Sequence, residues 1–66
     1  MRMKTPPVEG YATVCGEQVR IMAHHVSKTV WTAHGTYKKY DYEGKGRTAS
    51  QAIEDCRSRI NASEFN

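Results

Sequence analysis

Thr48-Ala49-Ser50-Gln51-Ala52-Ile53-Glu54-Asp55-Cys56-Arg57-Ser58-Arg59-Ile60 is the stretch of this 66-residue chain in which start signal, periodicity and charge placement agree. Thr48 followed three residues later by Gln51 is a capping box, in which each side chain satisfies an amide at the helix start. Ala49, Ala52, Ile53, Cys56 and Ile60 fall at offsets 0, 3, 4, 7 and 11, the single apolar stripe of an amphipathic helix. Glu54 and Asp55 precede Arg57 and Arg59 at helical pairing distance, and Asn61 marks a stop. A helix with one apolar stripe must cover something, and the residues before it supply a sheet.

Working back towards the N-terminus, Gly44-Lys45-Gly46 reads as a break that leads into the helix. Tyr40 to Glu43 reads as a short edge strand, after a turn at Lys38-Lys39. Thr29 to Tyr37 alternates Trp31, Ala33 and Gly35 against Val30, Thr32 and His34, so the first set is expected to face the helix, with Trp31 at the centre of the core. Gln18 to His25 alternates Val19, Ile21 and Ala23 against Arg20, Met22 and His24. Gly10 to Cys15 has strand composition and ends in a tight turn at Gly16. The expected fold is α+β: a three- to four-stranded antiparallel sheet, order β-β-β-(β)-α, packed on one C-terminal amphipathic helix. The expected core is Val19, Ile21, Trp31, Ala33, Ala52, Ile53, Cys56 and Ile60. Pro6-Pro7 makes residues 1–9 an extended tether, 10–61 is a single domain, and 62–66 is a flexible tail.

Composition bounds the rest. With 38% hydrophobic and 26% charged residues, the chain is long enough for one small core and no second domain. Ten Lys and Arg against seven Asp and Glu give +3 and a pI near 9.1, a balance that favours anionic partners. MRMKTPPV is followed by no apolar run of signal-peptide or membrane-span length, which points to the cytoplasm and away from membranes. Cys15 and Cys56 are then expected to be thiols. His24, His25 and His34 with these cysteines match no zinc spacing, and no nucleophile, base and orienting group recur in a catalytic pattern. No metal, cofactor or enzymatic activity is expected.

From Val30 onward, the strands, the Gly44-x-Gly46-x-Thr48 junction and Ala52 resemble the second half of the double-stranded RNA-binding domain. The resemblance implies a sheet-plus-helix fold. The RNA-clamping lysines of that family are replaced by Ala49, Ser50 and Ile53, and its first helix is absent. A looser likeness is to the three-stranded DNA-binding domains of integrases and AP2-type factors, which implies an open sheet face carrying Arg20, His24, Thr32, His34 and Arg47. In size and mixed charge the chain also looks like small phage-encoded modulators of the anti-CRISPR type.

The candidate binding residues are Arg20, His24, His34, Tyr37, Lys38, Lys39, Tyr40, Tyr42, Lys45 and Arg47. Lysines neutralise phosphates and tyrosines stack on bases or anchor protein interfaces. The competing reading of the same run is a charged edge strand whose lysines discourage aggregation, with Asp41 and Glu43 repelling phosphate. Two functions follow. One is a basic nucleic-acid- or nucleoprotein-binding module using Tyr37 to Arg47 and the open sheet face. The other is a protein-directed modulator or inhibitor that covers the surface of a host complex. Pairing of sheet edges into a homodimer is a further expectation for a domain with so little core.

Overall fold

Alternation of apolar and polar residues carries residues 8–46 into four strands in a computed structural model of the chain, which describes residues 6–63. These are β1 (Val8–Val14), β2 (Glu17–Ser27), β3 (Val30–Tyr37) and β4 (Tyr40–Gly46), followed by helix α1 (Ala49–Ser63). Each strand pairs antiparallel with the next, so spatial order equals chain order and α1 packs across one face. This is the α+β architecture expected. β1 begins at Val8, because Val8 and Glu9 pair with Ala23 and Met22 rather than ending the tether. The rest of the expected tether, residues 1–5, and residues 64–66 of the expected tail lie outside the described residues.

Two connections are two-residue turns with positive φ at both positions: Cys15 (51°) and Gly16 (83°), then Lys38 (53°) and Lys39 (71°). That geometry matches the right-handed twist of the flanking strands. Glycine accepts it at no steric cost, whereas a lysine there is held against its own Cβ. The β2–β3 connection differs, with a bulge between His25 and Ser27 that leaves Val26 exposed.

The helix-facing side of the sheet carries Ala12, Val14, Val19, Ile21, Ala23, Ala33 and Tyr37, all buried. Ile21, Ile60 and Cys56 are the largest fully buried side chains. Trp31 occupies the expected face, yet it is half-buried at the rim, packed against the core rather than central to it. It lies opposite Gly46, where α1 has only begun, so the helix does not cover it fully. The helix stripe is as expected: Ala52, Cys56 and Ile60 are buried, and Ala49 and Ile53 pack at the margins.

The close approach of helix to sheet is made over β4. A Cβ on Gly44 would lie 2.3 Å from the Cys56 amide nitrogen and 2.5 Å from the Ala52 carbonyl oxygen. One on Gly46 would lie 2.7 Å from the Ala52 amide nitrogen. Gly44-Lys45-Gly46 is therefore not a break but the last three residues of the strand, with glycines where helix backbone rests on sheet. At the helix start, Thr48 Oγ1 accepts from the Gln51 amide (3.1 Å), and Gln51 Oε1 accepts from the Arg47 amide (3.0 Å), one residue earlier than in a standard capping box. The helix runs past Asn61 to Ser63, whose hydroxyl donates to the Ile60 carbonyl at 2.6 Å. Arg57 pairs with Glu54, and Arg59 with Asp55 at 3.3 Å.

Candidate functional site

Strand parity decides what Tyr37 to Arg47 can present. Successive side chains of a strand point to opposite faces, so tyrosines and charges that interleave in the sequence separate in space. Tyr37, Tyr40 and Tyr42 lie on the helix side of the sheet. Tyr37 is buried, Tyr42 is half-buried against the core, and Tyr40 alone is well exposed, at 69%. Asp41, Glu43 and Lys45 lie on the opposite, open face. The basic residues also divide along the strand. Lys38 and Lys39 form the turn before it, with Lys38 Nζ 5.3 Å from the Tyr37 ring centroid. Lys45 and Arg47 lie at its far end, about 20 Å away at some 3.3 Å per residue.

The open face is mixed in charge. Arg20 Nε sits 2.9 Å from Glu9 Oε2, and that oxygen also accepts from the Tyr11 hydroxyl at 2.7 Å, which above all raises the tyrosine pKa. Thr36 Oγ1 donates to Asp41 at 2.9 Å, and His34 pairs in register with Glu43. His24 and His34 are exposed neighbours with ring centroids 6.2 Å apart. Thr32, between His24 and Lys45 in register, is buried at 8% and offers little surface. Arg20, His24 and His34 thus share the face expected for them, but with three carboxylates among them.

A different grouping arises where the β2–β3 connection meets the β4–α1 junction. Pairing of Thr32 with Lys45 and of Trp31 with Gly46 brings residues 24–32 beside residues 45–51. Neither stretch contains Asp or Glu, and together they hold Lys28, Lys45, Arg47, His24 and His25. The His25 ring stacks on Trp31 with centroids 4.8 Å apart and planes 21° from parallel. At the same end of the sheet is a shallow groove lined by Thr29, Val30, Lys45, Gly46, Arg47 and Gln51; by parity the stack lies on the helix side and Lys45 on the open face, so the two meet around the end of the sheet. The bulge after His25 places the exposed Val26 and Lys28 around this rim. Lys28, His25 and Trp31 were not among the binding residues expected from sequence. The available signal was the absence of acid from two stretches that an antiparallel β3–β4 pair must bring together.

The outer side of β4 forms a second depression, lined by Asp41, Tyr42, Glu43, Lys45, Asp55 and Arg59. Asp55 accepts from the Lys45 amide (3.0 Å) and from Arg59, and the amide above all holds its carboxyl below the usual carboxylate range. This depression is built around an internal bond between edge and helix. Cys56 donates to the Tyr42 carbonyl at 3.6 Å, and burial pushes its thiol up, which makes it a poor nucleophile. Cys15 is exposed in the first turn, and no disulfide joins the two. Among the described residues no three His, Cys, Asp or Glu side chains gather as a metal site requires, and no helix is long and apolar enough to cross a membrane. Comparison with known proteins finds no family model, no curated protein and no solved structure that matches the chain significantly.

Proposed function

We propose that this protein is a small non-enzymatic binding domain that engages single-stranded nucleic acid through the rim between the β2–β3 connection and the β4–α1 junction. The observation that carries this reading is the gathering, at one end of the sheet, of Lys28, Lys45 and Arg47 with the stacked His25–Trp31 pair, from two stretches that contain no Asp or Glu of their own. Lys28, Lys45 and Arg47 supply phosphate contacts, and an exposed imidazole backed by an indole is a platform for a base. Bases of a single strand are free to stack, whereas those of a duplex are not, and the lysines that clamp duplex RNA in the family resembled are missing here. The fold likeness therefore contributes the scaffold, and the rim contributes the chemistry.

The chain has a single tryptophan, and it lies in the rim, so its fluorescence reports directly on binding. Titration with single-stranded DNA and RNA at low salt should quench it. With about three phosphate contacts, the logarithm of the binding constant should fall with the logarithm of salt at a slope of about −2. Lys45→Glu with Arg47→Glu should abolish binding, and Lys38→Glu with Lys39→Glu should leave it nearly intact. Absence of binding to any nucleic acid at low salt sinks the reading, and loss confined to the Lys38 and Lys39 variant moves the site to the opposite end of β4.

The open face favours a second reading. Its paired Arg20–Glu9 and Thr36–Asp41 groups suit a protein surface better than a phosphate chain. This is the protein-directed modulator or inhibitor, of the type carried by phages and mobile elements, which covers part of a host complex. Stoichiometric capture of one protein that persists after nuclease treatment, combined with no oligonucleotide binding, selects it.

A further inference from the structure

The two edges of the sheet differ in what closes them. On β4 the outward Lys45 amide is occupied by Asp55, and by alternation Asp41 and Glu43 also direct main-chain groups outward, beneath their own charged side chains. On β1 the outward set follows from the turn. A two-residue hairpin closes on the Val14 and Glu17 pair, so Val14, Ala12, Gly10 and Val8 hydrogen-bond to β2, and Glu9, Tyr11 and Thr13 direct their amides and carbonyls away from it. Among the described residues β1 has β2 as its single neighbour in the sheet. The devices that usually protect such an edge are missing from it: Val8–Val14 contains no lysine, proline or bulge, and its one charge, Glu9, is engaged by Arg20 and Tyr11. Val8 and Tyr11 are exposed at 39% and 46%.

We infer that β1 pairs antiparallel with β1 of a second copy, about a two-fold axis at Tyr11, joining two four-stranded sheets into one. Tyr11 is the midpoint of Val8–Val14, so full overlap of the strands puts the axis on it. Full overlap of this seven-residue strand sets outward residues against outward residues, Tyr11 on Tyr11 and Glu9 on Thr13, so the main chains can bond in that register. In this register Glu9 faces Thr13 of the second copy, Gly10 faces Ala12, Val8 faces Val14, and no like charges meet across the seam. On the helix side Ile53 rests on Gly10, where an added Cβ would lie 2.8 Å from its Cγ2. This half-buried isoleucine is thus placed to close over the seam from each copy. The seam runs along the edge opposite Lys45 and Arg47, so it stands independently of the nucleic-acid reading.

The test is the mass of the full chain by light scattering across a wide concentration range, with two variants at the exposed Thr13. The wild type should rise with concentration from the 7.5 kDa monomer towards twice that value. Thr13→Glu sets a carboxylate against Glu9 of the other copy at two symmetric places and should weaken the dimer about five-fold or more, whereas Thr13→Lys should tighten it by a similar factor. Helical circular dichroism and melting of each variant verify that the monomer is intact. A monomer mass at every concentration overturns the inference. So does a dimer whose dissociation constant moves in the same direction in both variants, because that pattern is incompatible with Glu9 facing Thr13.

Discussion

Both outer hairpins turn on two residues of positive φ, and both place a glycine-containing strand at an edge of the sheet, but α1 holds them by different means. On the β3–β4 hairpin the contact is backbone on backbone: Gly44 and Gly46 lie under the first turns of the helix, and Asp55 reaches down to the Lys45 amide. On the β1–β2 hairpin the contact at the edge is a side chain, Ile53 over Gly10. Backbone cannot retreat without unwinding an element, whereas an isoleucine has other rotamers. One hairpin is therefore locked to the helix backbone, and the other is held at its edge by a side chain. With the pairing inferred for β1, the difference would give stability to one side of the molecule and association to the other.

The largest expected effect breaks the locked side. Gly44→Ala places a methyl group inside the van der Waals radius of the Cys56 amide and should cost about 3 kcal/mol or more. A single core of this size supplies only about 3–5 kcal/mol in total, so the variant should be substantially unfolded at room temperature. Gly10→Ala makes the same chemical change on the other side and should cost about 1 kcal/mol or less, since Ile53 can turn away and alanine restricts the unfolded chain. Urea unfolding of the pair measures both. Equal losses would mean that the helix grips the two hairpins alike.

Much of this fold is legible in the sequence, because its signals are local. The Thr48 cap, the stripe from Ala49 to Ile60 and the alternation of Gln18 to His25 each depend on residues a few positions apart. What the sequence hides is tertiary. Gly44 and Gly46 look like a strand ending, since glycine weakens strands, and their reason for being in one is a helix backbone that arrives several residues later. Trp31 looks central because it is large and faces inward, yet the helix that would bury it starts beside it. The candidate site is harder still. Tyr37 to Arg47 reads as an interleaved basic and aromatic run, and parity sends its aromatics and charges to opposite faces. The rim at Lys28, Lys45 and Arg47 is assembled from two stretches joined only through β3–β4 pairing, so no window of sequence contains it.

A smaller effect sharpens the comparison at the turns. Gly16 has φ 83° with nothing within 4 Å of where a Cβ would lie, so Gly16→Lys isolates the conformational cost and should destabilise by about 1 kcal/mol. Lys39, at φ 71°, occupies the same place in the other turn. Lys39→Gly should stabilise by roughly 0.5–1 kcal/mol, less than the full relief because glycine also loosens the unfolded state. Thermal melts of the two exchanges should shift in opposite directions. A destabilised Lys39→Gly protein would show that the lysine makes contacts worth more than its strain.

The smallest effect separates the two sides by pH. At the β4 edge the folded protein lowers the pKa of Asp55, chiefly through the Lys45 amide and then through Arg59. The folded state therefore favours the carboxylate, and the resulting stability is fully present above the ordinary carboxylate pKa and is lost as pH falls through the depressed folded value. At the β1 edge the folded protein raises the pKa of Tyr11, chiefly through its hydrogen bond to Glu9. The folded state there favours the protonated phenol, so that stability is fully present below the ordinary tyrosine pKa and is lost as pH rises through the raised folded value. Asp55→Asn should flatten the acid limb of the stability profile and leave the alkaline limb alone, and Tyr11→Phe should do the reverse. Tyr11 is exposed and Asp55 only half-buried, so the changes are modest and best resolved in low salt. If Asp55→Asn altered the alkaline limb instead, the bond between Lys45 and Asp55 would not be what fastens β4 to the helix, and the contrast between the edges would rest on Gly44 and Gly46 alone.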